Sequence, residues 1–202
     1  MSVTYFHNFS ARTYPDYSET AFDTMIVSDG YIINCGFGLT KPFAKTPTID
    51  LKGAVILPPF VDSHTHFLQT GIVNSGCQFD NIDNLTDILE IVSAECKKNK
   101  IVLGWNLDLD LIKEKRFPTQ NELDKISNKN FIWLVSKDLH MCTANSEALK
   151  WAKKNFPKLK DNNGLVTGEA YNSLCYKIND ILSESYKLNS LKKIEKHCIK
   201  KG

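Results

Sequence analysis

Residues 54–66 read AVILPPFVDSHTH, an apolar run that leads into two histidines one residue apart. In an extended chain, alternate side chains leave the same face. Asp62, His64 and His66 are therefore expected to point the same way at the carboxyl end of a strand. Neutral imidazole is the commonest metal ligand in proteins. The spacing predicts that His64 and His66 bind one divalent metal ion, although an isolated histidine is more often a core or surface residue.

The composition is that of a globular protein, with 202 residues, 42% hydrophobic and 24% charged. A net charge of +2 and dispersed lysines argue against nucleic-acid binding.

The N-terminus has no signal-peptide pattern and no apolar run could span a bilayer, so the sequence predicts a cytoplasmic protein with no membrane partner. Six cysteines without a Cys-x-x-Cys pair are typical of reduced thiols rather than disulfides or a zinc ribbon.

Short strand-like runs fill residues 1–57. Two apolar runs around Asp29-Gly30 predict a hairpin. Lys52-Gly53 separates two further strand-like pieces before the histidines. We therefore expect residues 1–57 to form a small β subdomain.

Strand and helix patterns alternate over residues 58–202. Strands are predicted at residues 101–105 and 131–136, and helices are predicted to begin after the caps Asn84, Thr119 and Asn145. Two more helices are predicted over residues 170–182 and 190–201. This alternation indicates an α/β barrel or a layered α/β sheet.

Several separated segments carry a family resemblance. They are DLKG at 50–53, LPPFVDSHTH at 57–66, GW at 104–105, PT at 118–119, LD at 123–124, DLH at 138–140, NS at 145–146, AL at 148–149 and TGEA at 167–170. Together these segments resemble the amidohydrolase superfamily, and within it the amidohydrolase 3, or YtcJ-like, branch. One departure is Pro59, where that family more often has glycine.

The resemblance implies a TIM-type (β/α) barrel metallohydrolase flanked by a small β-sandwich made from both chain ends. A complete barrel takes about 250 residues, so the chain is expected to be an N-terminal portion with an incomplete barrel. Further histidine ligands and a late aspartate that handles the proton of the attacking water would come from later strands. The portion is therefore expected to be inactive alone, with Gly202 as a helix C-cap.

The metal implied by the resemblance is most simply zinc, for which catalytic sites commonly use three protein ligands and a water. By resemblance, Glu169 is the candidate for a third ligand. The alternative is that Glu169 is an acidic residue in a first helical turn, facing the positive end of the helix dipole.

Three other residues are candidates near the site. His140 follows the predicted strand 131–136, where barrel enzymes place functional groups, and it is expected to contact substrate unless it is a plain loop histidine. Trp105 either lines the substrate pocket or packs in the core. Asp62 is expected to orient the metal-ligating histidines, with capping of a turn as the alternative.

The leading hypothesis is hydrolysis of a carbon–nitrogen bond other than a peptide bond, in a small molecule, by a metal-activated water. A phosphoesterase with an Asp-x-His-x-His metal site is one alternative, although such domains usually begin close to that motif. A non-catalytic truncated product is another, because an incomplete barrel exposes strand edges. Such a chain would form homo-oligomers or associate with the missing C-terminal part.

Overall fold

A computed structural model describes residues 2–13 and 20–201. These residues divide into two units between Ser63 and His64. No helix in the described ranges has both the length and the apolar character needed to cross a bilayer. Gly202, the expected C-cap, lies outside the described residues.

The first unit forms a five-stranded sheet in which β5 pairs in parallel with β1, and β2 and β3 pair antiparallel to β1. The strands are β1 (Val3–Thr13), β2 (Thr20–Phe22), β3 (Thr24–Ser28), β4 (Tyr31–Gly36) and β5 (Thr48–Ile56). The expected small β subdomain is therefore a sheet with mixed pairing.

The predicted hairpin forms between β3 and β4. Ser28 pairs with Tyr31 across Asp29 and Gly30, whose φ angles of 50° and 87° suit a two-residue turn of the type that matches strand twist. The two pieces expected around Lys52-Gly53 are instead the single strand β5. A register shift against β1 accommodates these two positive-φ residues as a bulge, so the strand bends without ending.

The second unit begins with α1 (Phe67–Val73) and contains a sheet in the order β10-β9-β8-β7-β6. The strands β6 (Cys77–Gln78), β7 (Ile101–Leu107) and β8 (Phe131–Ser136) are parallel, while β9 (Met141–Ala144) and β10 (Leu165–Thr167) are added antiparallel. Helix α2 (Leu85–Cys96) connects β6 to β7, and α3 (Gln120–Ile126) connects β7 to β8. The second unit is therefore α/β, as predicted.

The three predicted helix caps are confirmed. The side chains of Asn84, Thr119 and Asn145 accept hydrogen bonds from backbone N–H groups at the starts of α2, α3 and α4 (Ser146–Asn155). The helix expected over residues 170–182 is two shorter helices, α5 (Gly168–Cys175) and α6 (Ile178–Ile181). The last helix, α7 (Glu184–Lys201), begins six residues earlier than its predicted start at residue 190.

The strand expected to lead into the two histidines does not form. Strand β5 ends at Ile56, and residues 57–66 are exposed and irregular up to the start of α1. Pro58 and Pro59 have no N–H to donate, and no strand in the described ranges pairs with this segment. The prediction of a strand here is wrong. An apolar run forms a strand only where a neighbouring strand can hydrogen-bond to its backbone N–H and C=O groups.

The core of the second unit lies on both faces of β7 and β8. Alternate residues of β8 enter separate clusters, with Trp133 and Val135 on one face and Ile132 and Leu134 on the other. Helices α4 and α5 contribute apolar side chains to the first cluster, and α2 and α3 contribute to the second. This two-sided cover fixes the carboxyl ends of β7 and β8.

Candidate active site

His64 and His66 lie side by side immediately before α1. Their rings meet edge to face with centroids 5.8 Å apart. The carbonyl of His66 accepts hydrogen bonds from the backbone N–H of Thr70 at 2.9 Å and from its hydroxyl at 3.0 Å. The first turn of α1 therefore sets where the backbone of His66 lies.

The pair fits a metal ion in the chemistry of its donors, since neutral imidazole nitrogen is a common ligand of zinc and related divalent cations. The set is incomplete, however. Within residues 2–13 and 20–201 no three His, Cys, Asp or Glu side chains come together to hold a metal ion. If both histidines bind a metal ion, as predicted, the described residues bring together two of the three protein ligands that catalytic zinc sites commonly have.

Glu169 is not brought to the two histidines in this structure. It is exposed in the first turn of α5, a position that also suits an acidic residue at the positive end of a helix dipole. Asp62 lies in the exposed segment that follows β5. The roles expected for Glu169 and Asp62 stay predictions.

His66 and Trp105 line one cavity of about 700 Å³. Its other walls include Ile72 of α1, Tyr171 of α5 and Leu139 from the turn after β8. The indole nitrogen of Trp105 is buried and has no hydrogen-bond partner within the part of the chain that the structure describes. The structure therefore brings a predicted metal ligand and a predicted pocket residue to the same cavity.

His140 lies in a tight turn at the carboxyl end of β8, where the sequence predicted it. The turn is held by Asp138, whose carboxylate accepts from the Ser136 hydroxyl at 2.5 Å and from the His140 N–H at 3.1 Å. These two bonds lower the pKa of Asp138 below its usual range. His140 is exposed, with its Nδ1 2.6 Å from the Asp138 carbonyl, and its contact with substrate stays a prediction.

A polar group at the ends of β6 and β7 was missed by the sequence reasoning. Asn106 donates from its side-chain amide to Gln78 Oε1 at 3.1 Å and to Asp80 Oδ2 at 3.1 Å. Its backbone has a φ of 68°, which asparagine tolerates better than most residues. The place of Asn106 in the sequence could have marked it as a candidate site residue. It directly follows the buried run 101–105, and functional groups gather at the carboxyl ends of parallel strands.

A second missed pair lies at the ends of β7 and β8. Lys137 Nζ donates to Asp108 Oδ2 at 2.8 Å. This bond lowers the pKa of Asp108 and raises the pKa of Lys137, so both groups stay charged at neutral pH. Asp108, Lys137 and Asp138 border another cavity, of about 560 Å³, at the same edge of the sheet.

Comparisons with known proteins agree with this architecture. The model of the amidohydrolase family matches residues 47–174. The chain is 28% identical over 150 residues to an N-substituted formamide deformylase from Arthrobacter pascens, covering 70% of this chain and 28% of that protein. It is 27% identical over 172 residues to the putative amidohydrolase YtcJ from Bacillus subtilis (strain 168), covering 78% of this chain and 32% of that protein.

The fold is similar to that of an uncharacterized metal-dependent hydrolase from Pyrococcus furiosus. The TM-score is 0.71 at 21% sequence identity, and the match covers 96% of this chain and 42% of that chain. The chain thus spans less than half the length of each of these three proteins. The family match over residues 47–174, which includes both histidines, shows that the chain belongs to the amidohydrolase family, with similarity to its YtcJ-like members.

Proposed function

We propose that this chain carries the metal-binding part of an amidohydrolase that hydrolyses a carbon–nitrogen bond, other than a peptide bond, in a small molecule. The observation that supports this most directly is the pair of imidazoles at His64 and His66, with His66 lining the same cavity as Trp105. Both histidines lie within the segment that the family model matches. One relative, the formamide deformylase, is named for an activity of this class.

In this proposal, His64 and His66 hold a zinc ion, and Glu169 is the candidate for a third ligand. When bound, such a metal lowers the pKa of a water molecule towards about 7 and polarises the scissile carbonyl. Asp62 would orient the histidines through a hydrogen bond, as carboxylates commonly do for metal-ligating imidazoles.

The cavity beside His66 suits the apolar part of a small substrate. Ile72, Trp105 and Tyr171 give this cavity an apolar wall against which such a group could pack. Burial raises the pKa of the Tyr171 hydroxyl, so it stays protonated and neutral. His140 would contact the polar end of the substrate from the carboxyl end of β8.

We further propose that the parallel strands β6, β7 and β8, with α2 and α3 between them, are the early part of a TIM-type barrel. No three metal-ligating side chains come together in the described residues, and the family resemblance implies that later strands supply further ligands. Residues 1–202 alone are therefore expected to bind metal but not to turn over substrate, unless they associate with the remaining part of a barrel. We place the protein in the cytoplasm on the sequence evidence.

Calorimetric titration with Zn²⁺ after treatment with a chelator tests the metal site. We expect His64→Ala and His66→Ala each to weaken binding by about 100-fold or more, since even a residue that only orients a ligand typically contributes 10- to 100-fold. His197→Ala is the matched control, because His197 is an exposed histidine of α7, and it should bind like the wild type. Equal affinity in all three variants would overturn the proposal.

Turnover is tested separately by amine release from a panel of N-substituted amides and formamides. The zinc-loaded chain of residues 1–202 is expected to release no amine. Release of phosphate from a phosphate monoester would instead support the phosphoesterase reading and count against cleavage of a carbon–nitrogen bond.

A further inference from the structure

Helices α1 and α7 touch backbone to backbone at Gly71. A Cβ atom placed on Gly71 would lie 2.5 Å from the carbonyl oxygen of Ser190 and 2.9 Å from its carbonyl carbon. Those are main-chain atoms of a helix, which cannot turn aside as a flexible side chain can. Ser190 is only 1% exposed, so the contact is buried within the second unit. Glycine is therefore required for this spacing between α1 and α7.

Two polar contacts hold the end of α1 to the same helix. The Ser190 hydroxyl donates to the Ser75 hydroxyl at 3.2 Å, and Lys193 Nζ donates to the Asn74 carbonyl at 3.4 Å. Ile194 of α7 is buried one turn further along. Helix α7 thus fixes both the middle and the carboxyl end of α1, from more than 100 residues away in sequence.

The other end of α1 carries the metal-binding pair. His66 is the N-cap residue of α1 and is tied to its first turn through Thr70. The ring of His64 packs against the ring of His66. A short helix moves as one body, so a displacement at Gly71 is transmitted to His66, only five residues away.

We propose that Gly71 is a positioning residue for the metal site: its close approach to Ser190 sets α1 where His66 can share a metal ion with His64. This inference rests on the proposed function, in which those histidines bind metal. The segment before them is exposed and irregular, so α1 is the element that orders His66. The packing of α7 on α1 is then part of what makes the site.

The test is titration of the full chain with Co²⁺, read by the ligand-field absorption of the bound ion as well as by affinity. Gly71→Ala is expected to raise the Kd for Co²⁺ about tenfold, the scale on which misoriented ligands weaken metal binding, and to change the absorption spectrum. Leu123→Ala, which creates a cavity beneath α3, is the matched control. It should lose thermal stability to a comparable extent yet keep the wild-type Kd and spectrum.

The outcomes distinguish failure of the metal site from failure of the positioning role of Gly71. No Co²⁺ binding by the wild type, or equal binding by His64→Ala, would overturn the proposed metal site. Binding that is lost in His64→Ala but keeps its Kd and spectrum in folded Gly71→Ala would overturn only the positioning role. If Gly71→Ala does not fold, the triple variant Ser190→Ala/Lys193→Ala/Ile194→Ala removes the two polar contacts and the Ile194 side chain that lies against Gly71, without adding an atom. An unchanged Kd and spectrum in that folded variant would show that the packing of α1 on α7 does not set the metal site, and would likewise overturn the positioning role.

Discussion

Two apolar runs differ in burial in this molecule: one is a fully buried strand and the other is exposed. All six residues of β8, FIWLVS at 131–136, are buried, and Trp133 is 1% exposed. The run LPPFV at 57–61 is exposed throughout, with Phe60 86% and Val61 89% exposed. Strand β8 lies between β7 and β9 and is covered by helices on both faces, whereas residues 57–61 have no paired strand within the described ranges.

The comparison teaches that hydrophobic sequence alone does not create a strand. Backbone N–H and C=O groups in a strand need a neighbouring strand to bond to, and two prolines remove donors from the exposed run. It also shows why the predicted metal ligands depend on distant packing. His64 and His66 follow the exposed run at 57–61, which cannot hold them in place. Their positions are therefore fixed by α1 and by α7, which packs on it.

The largest contrast is expected between Trp133→Ala and Phe60→Ala. Trp133 packs against Phe131 and Trp151 in the core, so its truncation should lower the free energy of unfolding by about 4 kcal/mol. Phe60→Ala should change that free energy by less than about 0.5 kcal/mol, because its ring is exposed. Urea unfolding of both variants measures the contrast, and equal losses would show that the two runs do not differ in packing.

Asn145→Ala should break the junction that holds β8 to α4. The fully buried Asn145 donates to the carbonyls of Ser127 and Asn130, both at 2.8 Å, and accepts from the N–H groups of Ile132 at 3.2 Å and Ala148 at 3.1 Å. Its removal leaves buried backbone groups unpaired, so we expect a loss of about 3 kcal/mol in unfolding free energy.

Asn189→Ala, at an exposed position of α7, is the control for Asn145→Ala. We expect it to unfold at nearly the wild-type urea concentration. A small effect at Asn145 as well would mean that water readily replaces the bonds of its amide.

Acid should loosen α3, which packs Leu123 into the cluster that contains Ile132 and Leu134. The bidentate bond from Arg116 lowers the pKa of Glu122 from 4.5 to about 2. Because the folded pKa is the lower one, this stabilisation is present above pH 4.5 and is lost as the pH falls towards 2. It should amount to on the order of 2 kcal/mol at pH 7.

Glu122→Gln should therefore be less stable than the wild type at pH 7, and the two should converge near pH 2. Urea unfolding between these pH values gives the difference. Glu147→Gln is the control, since Glu147 forms an exposed surface pair with Lys150 that contributes little. A difference in unfolding free energy between the wild type and Glu122→Gln that did not change with pH would show that ionisation of Glu122 is not its source.

The smallest effect is expected from Pro59→Gly, which restores an N–H donor to the exposed run. Without a neighbouring strand that donor has only water to bond to, so the unfolding free energy should change by less than about 0.5 kcal/mol. Hydrogen exchange over residues 59–66 should stay fast. Slow exchange in the variant would show that proline, rather than the missing ladder, prevents a strand here.

The sequence predicts helix caps and turns correctly where the hydrogen-bond partner lies a few residues away in the chain. Asn84, Thr119 and Asn145 cap helices as predicted, because each bonds to a backbone N–H three residues ahead. The Asp29-Gly30 turn formed for the same reason. The family resemblance, built on ordered short segments, was confirmed by the family match.

Contacts between distant segments were not readable in this way. No local pattern indicates that Asn106 bonds to Gln78 and Asp80, or that Lys137 pairs with Asp108. Adjacent parallel strands bring these residues together, so their pairing depends on sheet order and register. The split of the helix over residues 170–182 likewise lies beyond simple periodicity.

The sequence by itself determined the family, the α/β character of the second unit and the starts of α2, α3 and α4, and it predicts His64 and His66 as metal ligands. These follow from residue type and short spacing, which act within a turn or a strand. Tertiary structure decided that residues 57–66 are exposed, that His66 shares a cavity with Trp105, and that Gly71 lies against Ser190. Each depends on whether a distant segment supplies a backbone partner or a packing surface, which short-range patterns do not encode.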